Sequence, residues 1–131
     1  MKFRIEVLLL ALATLIFCNG CLLLVVGGAA AAGAGTVVYV NGELKDSEAV
    51  SIQKAHAATL AAFKDLQFGV VGDVTKADTT TVSARTSSDK KVQVTLVKES
   101  ATVTQIKVRV DVFGDESLSH QVLDKIKARL K

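Results

Sequence analysis

The sequence predicts an α+β domain: an antiparallel sheet of about four strands with two helices packed on one face, preceded by an apolar signal and anchor segment. Three observations predict it. Residues 91–98 and 104–112 alternate apolar and polar side chains one by one, the pattern of strands with one buried and one wet face. Residues 46–67 and 115–130 instead place apolar side chains at spacings of three and four, as amphipathic helices do. Residues 7–42 carry no charge at all.

The chain has 131 residues, half of them apolar, with no Pro, no Trp, two Cys and a formal charge of +3. That length holds one small domain and a targeting segment, not two domains. Composition excludes a collagen-like chain, a disulfide framework and wholesale disorder. Beyond residue 20 the balance is fourteen basic to twelve acidic residues, too even to suggest nucleic acid as a partner.

Lys2 and Arg4 form a short basic start, and residues 7–17 (VLLLALATLIF) are an apolar run of the length found in secretory signals. The end of that run and the four residues after it, Phe17-Cys18-Asn19-Gly20-Cys21, resemble the end of a bacterial lipoprotein signal peptide. In that resemblance Gly20 is the small residue before the cut, and Cys21 is the lipidated new N-terminus. Cys18 stands where such signals usually carry Leu, and bulky Phe17 before it makes it the poorer acceptor. Cleavage would remove Cys18 and acylation would consume Cys21, leaving an exported domain with no thiol. The competing reading is a retained, bilayer-spanning segment, since residues 7–40 are apolar for longer than the roughly 20 residues a crossing needs. Gly27, Gly28, Ala31, Gly33 and Gly35 would let two such helices approach closely. The plainer reading of residues 22–40 is a Gly/Ala spacer along the membrane surface, with residues 22–26 reinforcing the lipid.

In the domain, residues 36–45 read as an extended leading strand. Asn41-Gly42 is a possible hairpin turn with only a short return arm. Asp46 or Ser47 is placed to cap a helix reaching about Gln67, with Glu48 in its first turn. Ile52, Ala55, Thr59, Phe63 and Leu66 form its apolar stripe. Residues 68–74 and 79–86 read as strands, the second rich in Thr. Ser87, Ser88, Asp89 and Lys90 then make a polar turn. Val92, Val94 and Leu96 share one face of the next strand, and Ile106, Val108, Val110 and Val112 one face of the last. Gly114 ends that strand, and Asp115 and Glu116 open a helix whose stripe is Leu118, Val122, Leu123, Ile126 and Leu130. The sheet face away from the helices is expected to present Lys, Arg, Gln and Thr.

Little here predicts chemistry. His56 and His120 lie on different helices without metal-spaced neighbours, and a surface or boundary role suits both. No Ser sits in a nucleophile elbow, and no phosphate loop is present. The sequence therefore predicts a non-enzymatic module with no catalytic, cofactor-binding or metal residues and no cofactor. Lys90 and Lys91 at a turn, and Lys125, Lys127, Arg129 and Lys131 at the last helix end, could touch anionic headgroups, although a solvated helix end explains the latter equally.

Three segments carry a wider resemblance: Tyr39-Val40-Asn41-Gly42-Glu43-Leu44, then Ala61-Ala62-Phe63-Lys64-Asp65-Leu66-Gln67-Phe68, then Phe113-Gly114-Asp115-Glu116 with Leu123-Asp124-Lys125-Ile126. Together they resemble an uncharacterised family of short bacterial lipoproteins, a domain of unknown function, over nearly the whole chain. His56 departs from the large aromatic expected there, which implies looser packing of the first helix. The resemblance implies location and fold, and adds no mechanism. It implies the envelope of Gram-negative-type bacteria, facing the periplasm. Leu22 rather than Asp after the lipidated Cys implies the outer membrane rather than the inner. The expected organisation is a signal peptide at 1–20, a lipidated Gly/Ala-rich segment at 21–42 and the domain at 43–131. The expected partners are the membrane, through Cys21, and an envelope protein of unspecified kind.

Overall fold

The computed structural model describes residues 37–131, so the signal segment, Gly20, Cys21 and the Gly/Ala stretch to residue 36 lie outside the described residues. The described residues form β1 (Val38–Val40), β2 (Glu43–Glu48), α1 (Ile52–Asp65), β3 (Gly69–Lys76), β4 (Thr79–Arg85), β5 (Lys91–Lys98), β6 (Thr104–Val110) and α2 (Glu116–Leu130). All strands join one antiparallel sheet in the order β1-β2-β6-β5-β4-β3. The α+β class and the two helices agree with the sequence. The strand count does not: six strands replace the expected four or so.

The two additional strands come from the first hairpin. Asn41 and Gly42 have φ of 54° and 79°, the positive pair a tight type I′ turn requires, so the turn is real. The return arm runs on to Glu48, and β1 pairs with it from Val38. Residues 46–48 are therefore strand, and neither Asp46 nor Ser47 caps a helix. Ser51 caps α1 instead, its hydroxyl accepting from the Lys54 amide at 3.3 Å. The helix stops at Asp65, where Gln67 turns to a φ of 59° and Phe68 returns its amide to the Phe63 carbonyl.

Both helices cover one sheet face. Leu44, Val82, Ala84, Val92, Val94, Leu96, Ile106, Val108 and Val110 point into the layer between and are fully buried. Ala55, Ala62 and Phe63 from α1, with Val122 and Ile126 from α2, close it from above at 0% exposure. Alanines on α1 let the slim helix sit close to α2, and Phe63 fills the space they leave, its ring 6.1 Å from that of Phe68. Buried hydroxyls are satisfied: Thr59 donates to the Ala55 carbonyl at 2.8 Å, Ser119 to that of Asp115 at 2.7 Å and Thr104 to that of Val50 at 2.9 Å.

The last strand ends earlier than its alternation suggests. Asp111 has a φ of 54°, which turns the chain out of the sheet, so Val112 leaves the buried row and stands 76% exposed. Phe113 beside it is 93% exposed. Gly114 then takes a φ of 83° against Gly42, where a Cβ would fall 2.5 Å from the Gly42 Cα and 2.4 Å from the Tyr39 hydroxyl. The β6–α2 loop is thus held against the first hairpin by two glycine backbones in contact. These residues belong to two of the three segments that carry the family resemblance.

Candidate functional site

The charged groups separate into two sets by sheet face. On the helix side Asp46, Glu48, Asp65, Asp73 and Asp115 each have a basic partner. Lys127 Nζ lies 2.8 Å from Asp46 Oδ2 and 2.9 Å from Glu48 Oε1, tying α2 to β2. Those bonds, to Asp46 first and then Glu48, raise the Lys127 ammonium above its ordinary pKa. The Arg129 guanidinium grips the Asp65 carboxylate through two nitrogens, Nε at 2.7 Å from Oδ2, and so ties α2 to the end of α1. That bond holds Asp65 below the usual carboxylate value and raises Arg129. Asp115 caps α2 by accepting from the Leu118 amide at 3.0 Å, and it also receives Lys90 Nζ at 2.9 Å. The amide first and Lys90 second lower its pKa, and Asp115 in turn raises that of Lys90.

These pairs revise the basic cluster read from the sequence. Lys127 and Arg129 hold the helix to the domain, and Lys90 serves the cap of α2; Lys91, Lys125 and Lys131 stand exposed. His56 is likewise paired, Nε2 lying 2.8 Å from Asp73 Oδ2 on β3, so the position expected to be aromatic carries a polar tie between helix and edge strand. His120 lies 3.9 Å from Glu116 within α2. Among the described residues no three His, Cys, Asp or Glu side chains gather as a metal site would need. The sequence singled out Cys21 and Gly20 alone as site residues, and both lie outside the described residues.

The opposite, helix-free face has another character. Register places Val40, Glu43, Arg109, Gln93, Ser83 and Gly72 in one row across it. The next row is Val38, Lys45, Lys107, Thr95, Thr81 and Val74. Lys45 stands directly opposite Lys107, and Arg85 directly opposite Lys91. Like charges facing each other across a ladder work against the sheet that carries them. Glu43 is the one acid among these open-face strand positions, 4.0 Å from Lys45. Asp89 reaches Arg85 from the turn at 3.1 Å, and Asp111 Oδ1 accepts from the Lys91 amide at 3.0 Å. At the end of the face nearest the β6–α2 loop is a shallow, open recess of about 270 Å³. Lys91, Gln93, Arg109, Asp111 and Val112 line it. Arg109 donates through Nη2 to the Val112 carbonyl at 2.9 Å and so fixes the loop that carries the exposed Val112 and Phe113.

Alternation along β5 and β6 exposed most of these cations to sequence reading, but not their adjacency. For Lys45 and Lys107 it depends on β2 being a strand and on a register between residues more than sixty positions apart, whereas the short β4–β5 hairpin sets Arg85 against Lys91.

No match is found among curated proteins. A family model does match, over residues 4–129, and its description is a protein of unknown function, DUF3568. With nearly its whole length matched, the chain belongs to that family.

Proposed function

We propose that this chain is a lipid-anchored lipoprotein of the bacterial envelope whose small α+β domain is a non-catalytic binding or structural module. The observation that carries the reading is the N-terminal pattern: Lys2 and Arg4, the apolar run at 7–17, then Gly20 before Cys21. Signal peptidase cuts between Gly20 and Cys21, and the diacylglyceryl group on Cys21 holds the mature chain to the bilayer. The domain faces the periplasm, and Leu22 directs it to the outer membrane. Among the described residues no helix is long and apolar enough to cross a membrane. The reading accordingly assigns attachment to the segment ahead of β1.

Growth with labelled palmitate tests this. The wild-type chain and Cys18→Ala should take up label, and Cys21→Ala should take up none. Equal labelling of Cys21→Ala, or an unlabelled wild type, overturns the anchor and favours the other reading. There the uncharged, Gly/Ala-rich segment spans the bilayer and self-associates.

A further inference from the structure

We infer that the helix-free sheet face, together with the Val112 and Phe113 tip, docks on an anionic phospholipid bilayer. On the helix side Asp46 and Glu48 are paired with Lys127, Asp65 with Arg129, Asp115 with Lys90 and Asp73 with His56. The open face keeps Lys45, Lys107, Arg109, Lys91 and Arg85 with Glu43 as the one acid among the strand positions facing that way. Two of its cross-strand pairs set cation against cation, Lys45 against Lys107 and Arg85 against Lys91. Within the fold Asp89 meets Arg85 at 3.1 Å and Glu43 lies 4.0 Å from Lys45, which leaves Lys107 and Lys91 for an anionic surface laid over the face to neutralise.

The rim supplies the second half of the match. Val38 and Val40 line one edge of the open face at 42% and 45% exposure, and Val74 the other at 52%. Phe113 stands beyond the recess at 93% exposure, on a loop pinned by Arg109 and by the contact of Gly114 with Gly42. Cations in the centre with aliphatic and aromatic side chains around them suit a bilayer interface, where phosphates lie beside the first methylenes of the acyl chains. The recess between Lys91 and Arg109 receives a headgroup phosphate, and the Phe113 ring enters the acyl layer beside it. Asp111 lines the same recess, with one oxygen occupied by the Lys91 amide.

The inference rests on the anchored reading for what keeps the domain at the bilayer, and its test separates the two. The chain contains no Trp, so Phe113→Trp introduces a single indole at a position with almost no packing to lose. The full-length variant, lipidated and also in a Cys21→Ala background, is mixed with vesicles carrying bromines on their acyl chains. One set is phosphatidylglycerol with phosphatidylcholine, the other phosphatidylcholine alone. Docking predicts quenching of the indole in the anionic vesicles, weak quenching in the zwitterionic ones, and reversal by salt. Adding Lys45→Gln with Lys107→Gln should cut the docked-to-undocked ratio roughly twenty-fivefold, about fivefold per cation. That pair should melt close to its parent, because relief of the like-charge pairing offsets the loss of the exposed Lys45–Glu43 approach at 4.0 Å, and the melting midpoint separates lost docking from misfolding. Lys125→Gln, on the helix layer, should change nothing. An unquenched indole in lipidated protein that floats with anionic vesicles overturns the docking and leaves the anchor standing. Equal quenching in both lipids, or equal loss with Lys125→Gln, overturns the role of the open face. Quenching in the Cys21→Ala background supports docking without the diacylglyceryl group, with the uncleaved apolar residues 7–17 as the remaining tether.

Discussion

Lys127→Met tests the tie between α2 and β2. The substitution keeps most of the aliphatic stem and deletes the ammonium that neutralises Asp46 and Glu48. The Asp46 side chain is 0% exposed, and its second oxygen, Oδ1, has no partner in the fold, so loss of Lys127 leaves a buried carboxylate with nothing to balance it. Removing one member of a fully buried ion pair costs about 3–5 kcal/mol. Lys127 is itself 36% exposed, and solvent screens part of what it supplies. We therefore expect a loss of about 2 kcal/mol, which in a domain this size lowers the melting midpoint by about 10 °C. Asp46→Asn added to Lys127→Met should recover most of the loss, because the amide needs no counter-charge. The assay is urea and thermal unfolding of the single and double variants, followed by circular dichroism. The pair also predicts a pH dependence. The pKa of Lys127 is raised in the folded state, so its contribution is complete below the unfolded Lys value, about 10.4, and disappears as pH rises through the folded value. Wild-type stability should fall across that alkaline range more steeply than that of Lys127→Met. A loss under about 0.5 kcal/mol, with no recovery in the double variant, would refute the reasoning, since that is the range of an exposed surface pair.

Gly114→Ala should cost more than about 1 kcal/mol, because the position combines a φ of 83° with a Cβ that meets the Gly42 backbone; urea midpoints measure it, and a neutral result would mean the loop is not held against the hairpin. Ser51→Ala should lower stability by about 1 kcal/mol through loss of the α1 cap, while Ser47→Ala, the capping position suggested by sequence alone, should change it by far less. On the acid side Asp65 and Asp115 are both held below the usual carboxylate value. Their stabilisation is present above about pH 4 and is lost as pH falls through their lowered folded values. Urea midpoints of Asp65→Asn and Asp115→Asn should therefore fall less than the wild type's as pH is lowered through the acid range.

Sequence reading succeeded where one local period settles the outcome. The strict alternation of β5 and β6, the polar turn before Lys91 and the acidic start of α2 all needed nothing beyond neighbouring residues. It failed at β2. Residues 43–45 read locally as a short extended arm, but Asp46, Ser47 and Glu48 read as the start of a helix. The whole run is a strand because β6 pairs along its full length and because Lys127, eighty-one positions away, makes burial of Asp46 tolerable. Val112 failed for a related reason. Its place in the alternation is correct, but a single positive φ at Asp111 removes it from the sheet. The candidate surface was half legible: Lys, Arg, Gln and Thr on the open face follow from alternation. The placing of Lys45 opposite Lys107 follows only from a long-range register, which the sequence does not carry.

The intact mass of the protein purified from membranes, beside that of Cys21→Ala, tests the central claim most directly. The account predicts a mature chain that lacks residues 1–20 and carries a diacylglyceryl group, with both the cleavage and the added mass lost in the variant. A full-length, unmodified mass in both would contradict it and leave the uncharged N-terminal segment itself as the membrane anchor.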